Sequence, residues 1–252
     1  MVATHPHVKE TAPVRRRFGF FAVMAVALAL LVLVGFSRNF YLRSLFVEAR
    51  YLTPIVYVHG FLFTGWMILL LVQTTLVAVG KVRLHRLIGV SGAFLASLMV
   101  IIGSLSQIEH TQRMIADGSY YQNHFRENFL FIVALLAMVV FGILVGIAVY
   151  RRRSPDTHKR LLICATIVLA FAAVNRIVAL IFGESVVGPI GGLVITDLLL
   201  VPLIVYDLAT RQRLHRATVW GSLAVLSLLG VASSPIVLSE PMDELIQWVA
   251  GR

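Results

Sequence analysis

The feature that most constrains this chain is a set of seven long stretches with little or no charge. They are Phe18–Phe36, Leu52–Gly80, Leu87–Ile108, Asn128–Tyr150, Leu161–Phe182, Gly188–Tyr206 and Ala217–Leu238. A helix needs about 20 consecutive apolar residues to cross the hydrocarbon core of a bilayer, and every stretch approaches or exceeds that length. Of the 252 side chains, 59% are apolar and only 13% are charged, where soluble domains carry about a quarter charged. A water-soluble core of this size could not hide so much hydrocarbon, so lipid must cover part of it. The expected fold is all-α, a seven-transmembrane helix bundle.

The formal charge of +10 would suit a nucleic-acid partner if the basic residues formed one face interleaved with aromatics. They fall instead in short clusters between apolar runs. Membrane lipids are therefore the expected partners, together with a membrane-protein partner or a second copy of the chain, and nucleic acid is not. Cytoplasmic loops are enriched in Lys and Arg. With the N-terminus inside, fifteen basic residues share that side: Lys9, Arg15–Arg17, Lys81, Arg83, Arg86, Arg151–Arg153, Lys159, Arg160, Arg211, Arg213 and Arg216. Only three acids join them, Glu10, Asp156 and Asp207. The other side holds six basic residues and eight acids. This bias predicts a multi-pass protein of the cell inner (cytoplasmic) membrane, with the C-terminus periplasmic or extracellular. Residues 1–17 read as a basic cytoplasmic segment, 18–238 as the bundle and 239–252 as an outer amphipathic tail. The first run reads as a retained signal anchor, since it is long and Val34-Gly35-Phe36-Ser37 offers no small-x-small cleavage site.

Two outer segments, Phe40–Tyr51 and Glu240–Val249, mix aromatics with charge and are expected to rest at the interface. The lone Cys164 lies inside an apolar run and reads as a small packing residue. The run from Leu87 carries Gly89, Ala93 and Ser97 at steps of four, which predicts close helix packing and a central place in the bundle.

Ionisable groups inside a membrane are expensive and usually mark function. Arg176 and Asp197 fall on consecutive runs at similar depth in the outer half, so an ion pair between them is expected, with Pro202 kinking the helix nearby. His59, Trp66 and Gln73 recur every seven residues and share a helix face. His59, Arg176, Asp197, Gln73 and Trp66 are therefore the candidate ligand- or cofactor-binding set, with structural pairing as the alternative for each. His59, His110 and His124 lie toward the same side. Imidazoles on facing helices are what haem b or a transition metal would use, although no local metal-binding motif is present.

At the basic corners, Leu84-His85-Arg86, His158-Lys159-Arg160 and Leu214-His215-Arg216 each open an outward-running helix. They read either as lipid-phosphate anchors or as a gathering of His85, His158 and His215. From about Gln73 to Phe182 the chain resembles a domain-of-unknown-function family of predicted prokaryotic polytopic membrane proteins. The resemblance rests on His85-Arg86-x-x-Gly89, His158-Lys159-Arg160 and Arg176. It implies that these corners and Arg176 belong together and brings no established activity. Three functions follow as expectations: an accessory, assembly or ligand-binding membrane subunit with a polar site in the outer half; a haem- or metal-binding redox protein; or a small-molecule or proton-linked transporter. No nucleophile–base pair, phosphate loop or paired-carboxylate site can be read in the sequence, so hydrolysis and phosphoryl transfer are not expected.

Overall fold

The computed structural model describes residues 19–46 and 52–250, and every regular element among them is helical. The basic segment 1–17, the end of the first interfacial stretch at 47–51 and Arg252 lie outside the described residues. Helix α1 (Phe20–Phe36) runs into a π-turn at Ser37–Tyr41 and the short α2 (Arg43–Phe46). It is followed by α3 (Pro54–Ala78), α4 (Val82–Ala116), α5 (His124–Tyr150) and α6 (Pro155–Phe182). Both α3 and α6 begin on a proline, whose missing N–H would go unbonded in a first turn anyway. The chain continues through α7 (Glu184–Asp197), a 3-10 turn at Leu198–Leu200, α8 (Val201–Arg211), α9 (Arg216–Ala232), a second such turn at Pro235–Leu238 and α10 (Glu240–Ala250).

Six segments are long and apolar enough to cross a bilayer: Phe20–Tyr41, Pro54–Ala78, Val82–Ala116, His124–Tyr150, Pro155–Phe182 and Ile190–Arg211. This is the architecture of a multi-pass membrane protein. The seventh apolar run yields only the 17-residue α9, at the short limit for a crossing. The sixth is discontinuous. Gly188 (φ 58°, ψ 176°) breaks α7 near its start, in a backbone region open essentially to glycine. A second break follows Asp197, because Pro202 offers no N–H to the Leu198 carbonyl. That carbonyl accepts from Val201 N in a 3-10 turn instead.

The centre of the bundle is α6, which packs against α1, α5, α7 and α9. Of its most apolar 18-residue stretch 67% is buried, against 22% for α4. The expectation that the Gly89-Ala93-Ser97 helix is central is thus corrected. Ser97 is exposed, and α4 meets its neighbours one register over, through the buried Gly92, Ala96, Met99 and Gly103. Close packing centres instead on the small residues of α6, where Cys164, Ala165, Ala170 and Ala173 are fully buried. A close backbone crossing is that of Gly35 of α1 on Ala173: a Cβ at Gly35 would lie 2.6 Å from the Ala173 carbonyl oxygen. Cys164 packs under Gly221 of α9, in keeping with a packing role.

Side-chain contacts show which helix ends meet. One end gathers Phe20 and Phe21 of α1, His85 of α4, Ala148 of α5, His158 to Arg160 of α6, Tyr206 and Asp207 of α8 and Thr218 of α9. The opposite end joins Thr53 before α3 to Glu109 of α4, and Asn128 of α5 to Val237 beyond α9 and Asp243 of α10. The expectation that the tail merely rests on the surface is also corrected. Ile246 of α10 is fully buried against Tyr120 and Phe131, so the helix docks across the ends of α4 and α5.

Candidate functional site

The most developed polar assembly stands at the basic end. Arg160 enters it from the first turns of α6 and Asp207 from the last turns of α8, and both are buried (1% and 0% exposed). Arg160 donates from Nε (3.0 Å) and Nη2 to Asp207 Oδ1. Its remaining nitrogen donates to the Asp156 carbonyl (2.9 Å) and to Asp156 Oδ1 (3.3 Å). The second Asp207 oxygen accepts from His215 N (3.0 Å) and from the Thr218 hydroxyl at the start of α9. Four donors on one carboxylate, and a guanidinium bonded through all three nitrogens to Asp207 and Asp156, satisfy the requirement that buried charges be paired and hydrogen-bonded. The clasp ties α6, α8 and α9 together.

Above it, Asp156 also binds Lys159 (2.7 Å) and Arg211 (3.1 Å). Phe20 stacks on Tyr206 at 4.2 Å, and the Arg160 guanidinium lies over the Phe21 and Tyr206 rings. An open cleft of about 500 Å³ results, lined by Asp156, Arg160, Tyr206, Thr210, Arg211 and Arg213. Arg160 is engaged by Asp207 and Asp156, and Arg211 by Asp156, while Arg213 completes the basic lining. His215 caps α9 by accepting from Ala217 N through Nδ1 (3.0 Å). Burial, then the charges of Arg160 and Arg211, hold its imidazole below the usual histidine range, which keeps that nitrogen free to accept.

The other two corner histidines pair with each other. His85 and His158 face edge to face at 6.4 Å, and His158 Nδ1 lies 2.8 Å from the Ala148 carbonyl. With its amide turned end for end, which satisfies both ends, Gln73 donates to the His85 carbonyl (3.1 Å) and to its Nδ1. The corners therefore gather in part: His85 with His158, and His215 with the clasp.

The chamber expected in the outer half is not assembled. Arg176 and Asp197 form no ion pair. Arg176 is exposed, donates to the Ala172 carbonyl one turn back (2.7 Å) and lies over the Phe36 ring at 4.4 Å. Both Asp197 oxygens are shielded and lack a hydrogen-bond partner. The physical reason is local: a guanidinium at the surface of α6 satisfies itself on its own helix and an aromatic face. The polar stripe of α3 does face protein, but its members go to different places. Trp66 is buried, donates to Thr166 Oγ1 (3.3 Å) and meets Phe141 edge-on, while Gln73 belongs to the basic end. His59 stacks on Phe63 at 4.0 Å with its Nδ1 shielded and unpartnered.

Among the described residues no three His, Cys, Asp or Glu side chains converge as metal ligands. The set His59, His110 and His124 is corrected accordingly. His110 approaches Glu127 at 4.0 Å, and His124 stands exposed at the start of α5. The same end carries a buried polar cap in which Tyr120 donates to Asn128 Oδ1 (2.6 Å), and Asn128 donates to the Val237 carbonyl and to Asp243. Burial, then the nearby acids Asp243 and Glu127 with Tyr121, push the Tyr120 hydroxyl up to about 12, so it remains a donor.

Comparison with known proteins finds no matching family model, no matching curated protein and no matching solved structure. The site must therefore be read from its own chemistry.

Sequence reasoning missed Arg160–Asp207 as a pair and Asn128 as a linchpin. Each lies within a few residues of the edge of an apolar run, where a charge or amide reads as a loop residue. The available signal was Asp207, an acid on the side where nearly all other charges are basic.

Proposed function

We propose that this chain is a seven-crossing accessory subunit of the cell inner membrane that holds an anionic phosphate group, such as a lipid headgroup, at its cytoplasmic face. The observation that carries this reading is the cleft at the basic end, lined by Arg211, which Asp156 holds, and Arg213, beside the Arg160–Asp207 clasp. At the level of lipid headgroups, guanidinium groups recognise phosphate oxygens through paired N–H donors. The Tyr206 and Phe20 rings beside them suit the interfacial layer.

The orientation is supported by the charge bias, which puts fifteen basic residues on that side. A seventh crossing by α9 is supported by its two ends: Thr218 bonds Asp207 at the basic end, and Val237 bonds Asn128 at the other. The 17 residues of α9 span about 25 Å at the helical rise, and the 3-10 turn at Pro235–Leu238 adds to that reach.

The test is lipid retention by the full chain in native mass spectrometry after extraction from vesicles of mixed phosphatidylglycerol and phosphatidylethanolamine. The wild type should retain the anionic lipid preferentially, and the Arg211→Ala/Arg213→Ala variant should lose that preference severalfold. A parallel titration with inorganic phosphate separates a lipid site from one for free anion. Equal retention by wild type and variant, with no phosphate binding, would rule out the cleft.

A further inference from the structure

The interruption of the sixth crossing carries an inference independent of the basic cleft. Asp197 is the last residue of α7, directly before the 3-10 turn and Pro202 that begin the next helical segment. Both of its carboxyl oxygens are shielded, and neither has a hydrogen-bond partner. An ionised carboxylate left this way is strongly disfavoured, because no protein donor replaces the solvation it has lost.

Among the described residues no ion pair compensates Asp197. α7 packs on α5, α6 and α9. From α6, Arg176 is turned to the Ala172 carbonyl and the Phe36 ring, and Asn175 reaches Gly192, more than a turn away. The only charged or titratable residues of α5 before its final Tyr150 are His124, Arg126 and Glu127 in its first turn, and α9 has only Arg216 at its start. On α8, Asp207 is fully engaged by Arg160. Asp197 belongs to no group of three or more His, Cys, Asp or Glu side chains among the described residues, so a metal cation, which needs several oxygen ligands, is not the natural occupant. A proton is, because a neutral acid needs one acceptor for its O–H, and a helix break is where backbone carbonyls lose their regular partners.

We propose that Asp197 is a proton-binding site within the membrane, a carboxyl held as the neutral acid at the break of the sixth crossing and able to release its proton there. Ionisable residues within membrane spans mark ion or proton pathways, and this one is a shielded acid at an interruption of its helix.

The full chain in phospholipid vesicles provides the test. A hydrophobic carbodiimide reacts with a protonated carboxyl in an apolar setting: the acid O–H adds across the C=N bond, and the adduct rearranges to a stable N-acylurea at that residue. Peptide mass spectrometry should place this adduct on Asp197. Its yield should fall on the order of tenfold between about pH 5 and pH 9 and recover on re-acidification. Asp197→Asn, which mimics the neutral acid, should keep the wild-type folded yield and carry no adduct at that position. The proposal is overturned by absence of the adduct in folded wild type, or by equal modification of Asp197 by a water-soluble carbodiimide. A yield that does not change with pH overturns it too, since such a carboxyl never gives up its proton. None of these results depends on Arg211 or Arg213, so the outcome is separable from that of the cytoplasmic cleft.

Discussion

A buried charge is stable only as a member of a complete set, and Arg160 shows what completion requires. Its guanidinium uses Asp207 on one side and Asp156 on the other, and Asp207 in turn uses His215 N and Thr218. Removing one partner strands the other. Arg160→Leu should therefore destabilise the folded protein by about 3–5 kcal/mol, read as a loss of thermal stability in detergent. The double variant Arg160→Leu/Asp207→Leu should recover most of it, because two apolar side chains leave no orphaned charge. A double variant no better than the single would mean that the clasp is not a closed pair. His215 makes a second, pH-dependent prediction. Its imidazole is held below the ordinary histidine range in the fold, so the unfolded chain takes up a proton more readily. The contribution of the cap is then present above the unfolded value of about 6.5 and is lost as pH falls below it. Thermal stability should drop between about pH 7 and pH 5 in the wild type and less steeply in His215→Asn, which caps without titrating.

Among the elements, the decisive one is α6, and its role explains what the sequence could and could not announce. Length and apolarity located all the membrane-scale helices, and Pro202 marked the kink of the sixth crossing, since a missing N–H is a local property of the residue. The centre of the bundle was not legible. A stripe of small residues on α4 looked central, yet burial depends on which neighbours arrive, and those arrived around Ala165, Ala170 and Ala173. The candidate site was legible only in part for the same reason. His59, Trp66 and Gln73 do share a face of α3, but His59 stacks on Phe63 of its own helix, Trp66 meets Thr166 of α6 and Gln73 lies against His85 of α4. Depth alone likewise paired Arg176 with Asp197, while rotation about the helix axis, which the sequence does not specify, parted them. The close crossing of α1 on α6 yields a test at this scale. Gly35→Val would drive a side chain into the Ala173 backbone, and overpacking of this kind costs about 1–3 kcal/mol or more where backbone cannot shift. Folded yield should fall, whereas Gly19→Val, whose Cβ meets nothing nearby, should leave it unchanged.

For the whole molecule, the open question is how many times the chain crosses, and the two ends of α9 make it answerable. His215 and Thr218 meet Asp207 at the basic end, while Val237, just past α9, meets Asn128 beside Tyr120 and Asp243. Because α10 docks on that second group through Ile246, the tail must share a side with the α4–α5 turn if α9 crosses. Three exposed positions report on this: Gln122 in the α4–α5 turn, Gln212 between α8 and α9, and Gln247 on α10. In a Cys164→Ala background, a membrane-impermeant maleimide applied to intact cells should label Gln122→Cys and Gln247→Cys and spare Gln212→Cys. Inverted vesicles should reverse the pattern. Labelling of Gln212→Cys and Gln247→Cys from the same side would reduce the crossings to six and detach α9 from the bundle ends it bridges. The opposite result for all three together would keep seven crossings but turn the basic cleft outward, away from the cytoplasmic headgroups that its arginines are proposed to hold.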